Sequence, residues 1–175
     1  MAEEGYNYHL YNRGNNKQKI FFEEANYVFF LKRFADYLLP HVDVFAYCLM
    51  PNHFHFFIRV NNPYEFEKGI KNFFISYSKA INKKYNRVGH LFQGRYKLQE
   101  VTDDSHFTRI ITYIHQNPYV ANLVKRMEDY KYSSYRSYLL TKPSMLERQE
   151  VLDWFGGLEG FFEDHKVIVK KWFQE

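Results

Sequence analysis

The sequence predicts an α+β fold, a split β-α-β (ferredoxin/RRM-like) antiparallel sheet with helices packed on one face. Three observations lead there. Short aromatic and β-branched runs read as strands, longer stretches carry apolar residues at helical spacing, and the two kinds follow one another in the order β-α-β-β-α-β-α.

Residues 6–13 alternate rings with polar groups, and Gly14, Asn15 and Asn16 then supply turn chemistry, which ends the first strand. From 23 to 39, Tyr27, Phe30, Leu31, Phe34 and Leu38 recur at helical spacing until Pro40 stops the pattern. The runs 42–49 and 54–60 are separated by Met50, Pro51 and Asn52 and read as a hairpin. Over 63–85 the residues Phe66, Ile70, Phe73, Phe74, Tyr77 and Ile81 form an apolar stripe whose opposite face is basic and polar. The stretch 89–101 contains Gly94 and alternating large side chains, which suits a short strand or hairpin closing the sheet.

Asp103 fits the N-cap of a third helix, which Pro118 should end at about Asn117 by restricting the residue before it. Tyr119 would then leave the helix and point elsewhere. Beyond Val124 the pattern weakens into a tyrosine-rich stretch at 130–138, a polar linker at 141–144 and a helical C-terminal tail. The expected organisation is one domain over 1–140 with a tail over 141–175.

A chain of 175 residues accommodates one ordinary domain and a short accessory segment. Aromatic residues make up 21%, enough for a core and a surplus of rings able to stack on flat partners. The single cysteine, Cys48, can form no internal disulfide, and the first residues lack the basic-then-apolar order of a secretory signal, so a cytoplasmic location is expected. No apolar run approaches the roughly 18 residues of a membrane span, and no membrane partner is expected. The net charge of +4 and pI near 9.0 favour polyanion partners. The same excess also suits an ordinary solvated surface.

His53 and His55 alternate with Phe54 and Phe56, so on a strand the imidazoles project from one face and the phenyl rings from the other. Two imidazoles side by side can chelate a divalent cation; an isolated His-x-His is more often a pair of surface or hydrogen-bonded histidines. In the third helix Phe107, Ile110, Ile111 and Ile114 form one stripe, with Tyr113, Asn117 and His106 on its flank. Tyr113 can equally be an amphipathic edge residue with a buried ring and a wet hydroxyl.

Three segments together change the weight of these signals. The His53-Phe54-His55 pair inside Met-Pro-Asn-His-Phe-His, the stretch GHLFQGRYK over 89–97, and Tyr113-Ile114-His115-Gln116-Asn117-Pro118 resemble, in order, three landmarks of the HUH single-tyrosine (IS200-like) transposases. The likeness runs from about Tyr8 to Leu139 and is closest to the branch associated with repetitive extragenic palindromes. It implies a metal-dependent enzyme that cuts and rejoins single-stranded or hairpin DNA, in a nucleoid-associated setting. It implies further that His53, His55 and Asn117 hold a divalent ion, Mg²⁺ or Mn²⁺, and that Tyr113 attacks a DNA phosphate to leave a 5′-phosphotyrosine. Insertion-sequence relatives often carry glutamine where Asn117 stands, whereas the palindrome-associated branch accepts asparagine. A phenol with a pKa of about 10 needs a nearby cation or base to act as a nucleophile at neutral pH.

Asn12 and Arg13 after the first strand, and Arg95 and Lys97 on one face of the fourth, could track a phosphate backbone, or be solvated charges. Two other functions compete. A split β-α-β sheet with exposed rings also describes single-stranded nucleic-acid binders without catalysis, although such a module has no need of His-x-His near a tyrosine and an amide. A zinc hydrolase would use His53, His55 and a third histidine such as His90 or His106, and would make Tyr113 dispensable. The resemblance allows a homodimer exchanging tyrosine helices or a monomer, and the tail after Thr141 favours the monomer.

Overall fold

A computed structural model describes residues 1–169; residues 170–175 of the expected tail lie outside the described residues. Strands β1 (Asn7–Arg13), β2 (Val42–Met50), β3 (His53–Val60) and β4 (Lys97–Glu100) form one antiparallel sheet in the order β2-β3-β1-β4. Pro51 and Asn52 make the turn of the β2-β3 hairpin, with Met50 opposite His53. Helices α1 (Glu24–Tyr37) and α2 (Pro63–Lys84) are the crossovers of the split β-α-β unit. The Asn62 side chain caps α2 by accepting from the Glu65 N–H, and Pro63 occupies the first turn, where no N–H is needed.

Strand alternation gives the sheet two different faces. Phe54 and Phe56 point toward α1 and α2, where Phe30 lies 5.1 Å from Phe54 and Phe34 stacks on Phe56 at 4.2 Å between ring centroids. Each such buried ring contributes about 1.5–3 kcal/mol. Gly69 lets α2 pass the end of α1, because a Cβ there would stand 2.3 Å from the Tyr37 carbonyl oxygen.

Helices α3 (Asp104–Val120), α4 (Arg148–Trp154) and α5 (Leu158–Lys166) belong to the other side. Phe57 meets Phe107 of α3, and Trp154 of α4 packs on Phe45 and Phe107. The one-face arrangement thus holds for α1 and α2, while α3 adds a layer on the opposite face. Arg59 ties α4 to the sheet by pairing with both Asp43 and Glu150 at 2.7 Å.

Asp103 caps α3 as expected, accepting from the His106 N–H. The helix does not stop at Asn117, however. It runs through Pro118 to Val120, because a proline in the last turn removes a single ladder bond, and the end is closed by Ala121 N–H to Asn117 O at 3.0 Å and Leu123 N–H to Pro118 O at 2.9 Å. Tyr119 therefore stays on the helix, 43% exposed.

The tyrosine-rich stretch covers the outer edge of β2. The Leu49 N–H donates to Tyr132 O, the Tyr130 hydroxyl to Leu49 O and the Tyr138 hydroxyl to Phe45 O. Further on, the Glu147 N–H donates to Val44 O. An edge strand whose polar groups are met in this way offers no template for pairing with another chain.

Candidate active site

The register of the sheet assembles a second, polar layer beneath α3. His53 stands opposite Arg13, His55 opposite Tyr11, and Tyr11 opposite Lys97, so all five share the α3 face. On α3, Tyr113 and Asn117 are one turn apart and face these histidines. The Tyr113 ring lies edge-on to His55 with centroids 5.5 Å apart, and the Asn117 Oδ1 is 3.5 Å from His53 Nε2. The amide of Asn117 is oriented by its own helix, since Nδ2 donates to the Tyr113 carbonyl at 2.9 Å and turns Oδ1 toward His53.

Both imidazoles are engaged at the same ring nitrogen. His53 Nδ1 is 2.7 Å from Asn52 Oδ1, and His55 Nδ1 is 2.9 Å from Nε2 of His9. The two rings sit 5.0 Å apart and nearly perpendicular. His9 and His55 are each 1% exposed, and burial drives the pKa of His9 down to about 3, so its imidazole is neutral.

A cleft of about 640 Å³ opens over this layer, lined by Tyr11, Asn12, Arg13, Lys17, Asn52, His53, His55, Gln93 and Lys97. Gly14 shapes one wall. A Cβ there would stand 2.0 Å from the Gln18 carbonyl oxygen, and the Gly14 N–H donates to Asn52 O at 2.8 Å, which draws the loop after β1 against the hairpin turn. Asn16 and Lys17 in that loop adopt φ of 51° and 57°, a region asparagine tolerates better than most residues.

The structure brings His53, His55, Tyr113 and Asn117 together. Asn12, Arg13 and Lys97 line the cleft, although Asn12 is 6% exposed and its side chain serves local backbone, accepting from the Arg13 N–H and reaching Gly94 O. Arg13 Nε donates to Gln93 Oε1 at 2.5 Å, which holds the guanidinium at the rim. Arg95 lies outside this cleft, in a neighbouring groove of about 900 Å³ between α2 and the 89–96 loop that Asn12 also lines. His106 is at the start of α3, 2.6 Å from Asp103 Oδ2. His90 belongs to the Arg95 groove. Among the described residues no three His, Cys, Asp or Glu side chains gather as metal ligands, so neither histidine makes a zinc-type trio with the HxH pair.

The donor set is therefore two imidazoles and a carboxamide oxygen. With Nδ1 engaged in both rings, Nε2 is the nitrogen through which each would hold a cation. Nitrogen with neutral oxygen suits Mn²⁺, and the remaining positions would fall to phosphate and water oxygens, as Mg²⁺ also prefers. The residues fit a divalent ion.

Sequence reasoning missed His9, Asn52, Tyr11, Lys17 and Gln93. Strand alternation alone places His9 and Tyr11 on a common face. Only the β1-β3 register shows that this face is also that of His55.

Residues 2–117, the span from β1 to the Asn117 position on α3, match the family described as Transposase IS200 like. Among curated proteins none matches the chain. Among solved structures, the chain is similar to that of the REP associates tyrosine transposase bound to a REP hairpin, with a TM-score of 0.64 over 79% of this chain and 82% of the other at 14% identity. At that identity the likeness speaks for the fold.

Proposed function

Because this chain belongs to the IS200-like transposase family, whose members process DNA, we propose that it nicks and rejoins single-stranded DNA at hairpin or palindromic sites, using Tyr113 as nucleophile and a divalent cation held by His53, His55 and Asn117. One observation carries the reading: a tyrosine, two imidazoles oriented at Nδ1 and one oriented amide are neighbours within a single chain, and the two imidazoles line the cleft. A hairpin ligand fits because the solved structure of similar fold is bound to one.

The Tyr113 oxygen attacks phosphorus, forming an O–P bond as the bond from phosphorus to the 3′ oxygen breaks. The phenolic proton is lost and the departing strand takes up a proton to end in a 3′-OH. The 5′-phosphotyrosine keeps the phosphodiester energy, so rejoining by the reverse attack needs no nucleotide cofactor. A divalent ion held by His53, His55 and Asn117 would supply charge neutralisation at the phosphate and would favour the phenolate. Arg13, Lys17 and Lys97 give the cleft a cationic rim for the phosphates on either side. We assign 1–140 to the catalytic domain and 141–175 to a tail whose helices hold α3 in cis, an arrangement that suits a monomer acting on nucleoid DNA.

The test is covalency. Incubation with a cognate hairpin and Mg²⁺ or Mn²⁺ should yield a protein–DNA adduct that survives denaturing electrophoresis and is abolished by chelation. Tyr113→Phe should remove the adduct while fold and hairpin affinity persist. A binding module gives no adduct in any variant, and a zinc hydrolase cuts without one and tolerates Tyr113→Phe. Full adduct formation by Tyr113→Phe would defeat the assignment.

A further inference from the structure

His9 lies behind the cleft. It is diagonal to His55 across the β1-β3 pairing, 1% exposed, and takes no part in the cleft lining, so it cannot touch substrate there. Its ring stacks on Tyr11 at 4.5 Å and on His55 at 5.1 Å, and meets the Tyr113 ring edge-on at 6.5 Å. The contact that gives it a role is the 2.9 Å approach of His9 Nε2 to His55 Nδ1.

Two neutral imidazoles can share one hydrogen in either of two ways. If His9 donates, His55 Nδ1 is the acceptor and the His55 proton sits on Nε2, which blocks that nitrogen as a ligand. If His9 accepts, the His55 proton sits on Nδ1 and the Nε2 lone pair is available as a ligand. For His53 the shorter contact decides: Asn52 Oδ1 can only accept, so at 2.7 Å Nδ1 of His53 donates, and Nε2 faces the Asn117 Oδ1 at 3.5 Å with its lone pair.

We infer that His9 is a positioning residue that accepts the His55 Nδ1 hydrogen and so fixes His55 in the tautomer that ligates through Nε2, the counterpart of what Asn52 does for His53. Ligands held this way are oriented and made more basic by the partner at the second nitrogen. The inference rests on the metal reading above and extends it by one shell.

Two measurements test it. In the metal-free protein, long-range ¹H–¹⁵N spectra of the imidazoles should show His55 protonated at Nδ1; protonation at Nε2 would overturn the inference whatever the variants do. By calorimetry with Mn²⁺ alone, His9→Phe, which keeps a stacked ring without an acceptor, should bind about 10- to 100-fold more weakly. His9→Gln, whose amide oxygen can take the place of Nε2, should restore affinity to within a few fold. Wild-type affinity in His9→Phe, or equal loss in both variants, would overturn the role. His53→Ala serves as the control: if it binds Mn²⁺ as the wild type does, the metal reading itself fails, whereas loss in His53→Ala with retention in His9→Phe sinks only the role of His9.

Discussion

At Asn117 one amide performs two tasks. One Nδ2 hydrogen goes to the Tyr113 carbonyl, which fixes the amide and leaves Oδ1 facing His53 Nε2 at 3.5 Å. Asn117→Ala removes the oxygen and leaves the backbone ladder intact, so adduct formation under single-turnover conditions should slow by about 100-fold or more, and Mn²⁺ affinity should fall with it. Asn117→Gln retains an oxygen on a longer arm and should lose far less; an equal loss in both would show that the amide does not ligate. That His53 and His55 share one strand face, and Tyr113 and Asn117 one helix flank, is legible in the sequence from strand and helix period; the roles proposed for them come from the family resemblance. His9 and Asn52 are not legible there. Each acts through the ring of another residue, and that depends on register and turn geometry, which local periodicity does not encode. The cationic rim is half legible: Arg13 and Lys97 face the cleft, whereas Arg95 lies beyond it.

At the scale of elements, α3 is fastened on both sides. One side rests on β2 and β3. On the other, the buried Gln116 side chain donates to the carbonyls of His165 and Val167 at 3.0 and 2.8 Å and accepts from the Val169 N–H at 3.0 Å, so it grips the chain leaving α5. This grip stands next to Asn117 and one turn from Tyr113, so the C-terminal segment bears directly on where the nucleophile sits. Gln116→Leu would strand those backbone groups and should lower stability by about 1–3 kcal/mol, read as a reduced urea midpoint with faster amide exchange in α5; an unchanged midpoint would show that the grip is idle. Strand and helix order follow from periodicity. What periodicity misses has tertiary causes: Pro118 is accommodated because only the last turn is affected, and the tyrosines at 130, 135 and 138 are spaced for neither strand nor helix because they cover a sheet edge and fill the core under it.

Across the whole molecule the sheet separates a dry layer of phenylalanines from a layer rich in buried polar groups, with His9, His55, Gln116, His115, Ser134 and His165 among them. Three contacts form a chain there: Ser134 Oγ to His115 Nε2 at 2.7 Å, His115 Nδ1 to His165 Nε2 at 2.8 Å, and His165 Nδ1 to the Phe161 carbonyl at 2.7 Å. Because a carbonyl only accepts, His165 Nδ1 must donate; its Nε2 then accepts from His115 Nδ1, and His115 Nε2 takes the Ser134 hydroxyl hydrogen at 2.7 Å in preference to the Tyr47 carbonyl at 3.2 Å. With both rings neutral every position is satisfied, and an added proton at His165 Nε2 would face the hydrogen already on His115. Burial acts in the same sense, lowering His165 to about 4 and His115 well below its usual value. The unfolded histidines titrate near about 6.5, so below that pH the unfolded chain binds more protons than the folded one. The stabilisation is complete above about 6.5 and is lost progressively as pH falls toward about 4, at up to about 1.4 kcal/mol per pH unit for each histidine. His9 adds to the loss with the same sign. The exposed carboxyls lowered by their partners, Glu23, Asp103 and Asp129, titrate below their ordinary values and so contribute at lower pH. Urea unfolding at pH 7.5, 6 and 5 should therefore show a falling midpoint, and His165→Gln, which removes one titrating site, should flatten that fall even if it begins from a lower midpoint. A midpoint constant from pH 7.5 to 5 would mean that these histidines take up protons equally in both states and that the proton-ordered chain does not exist.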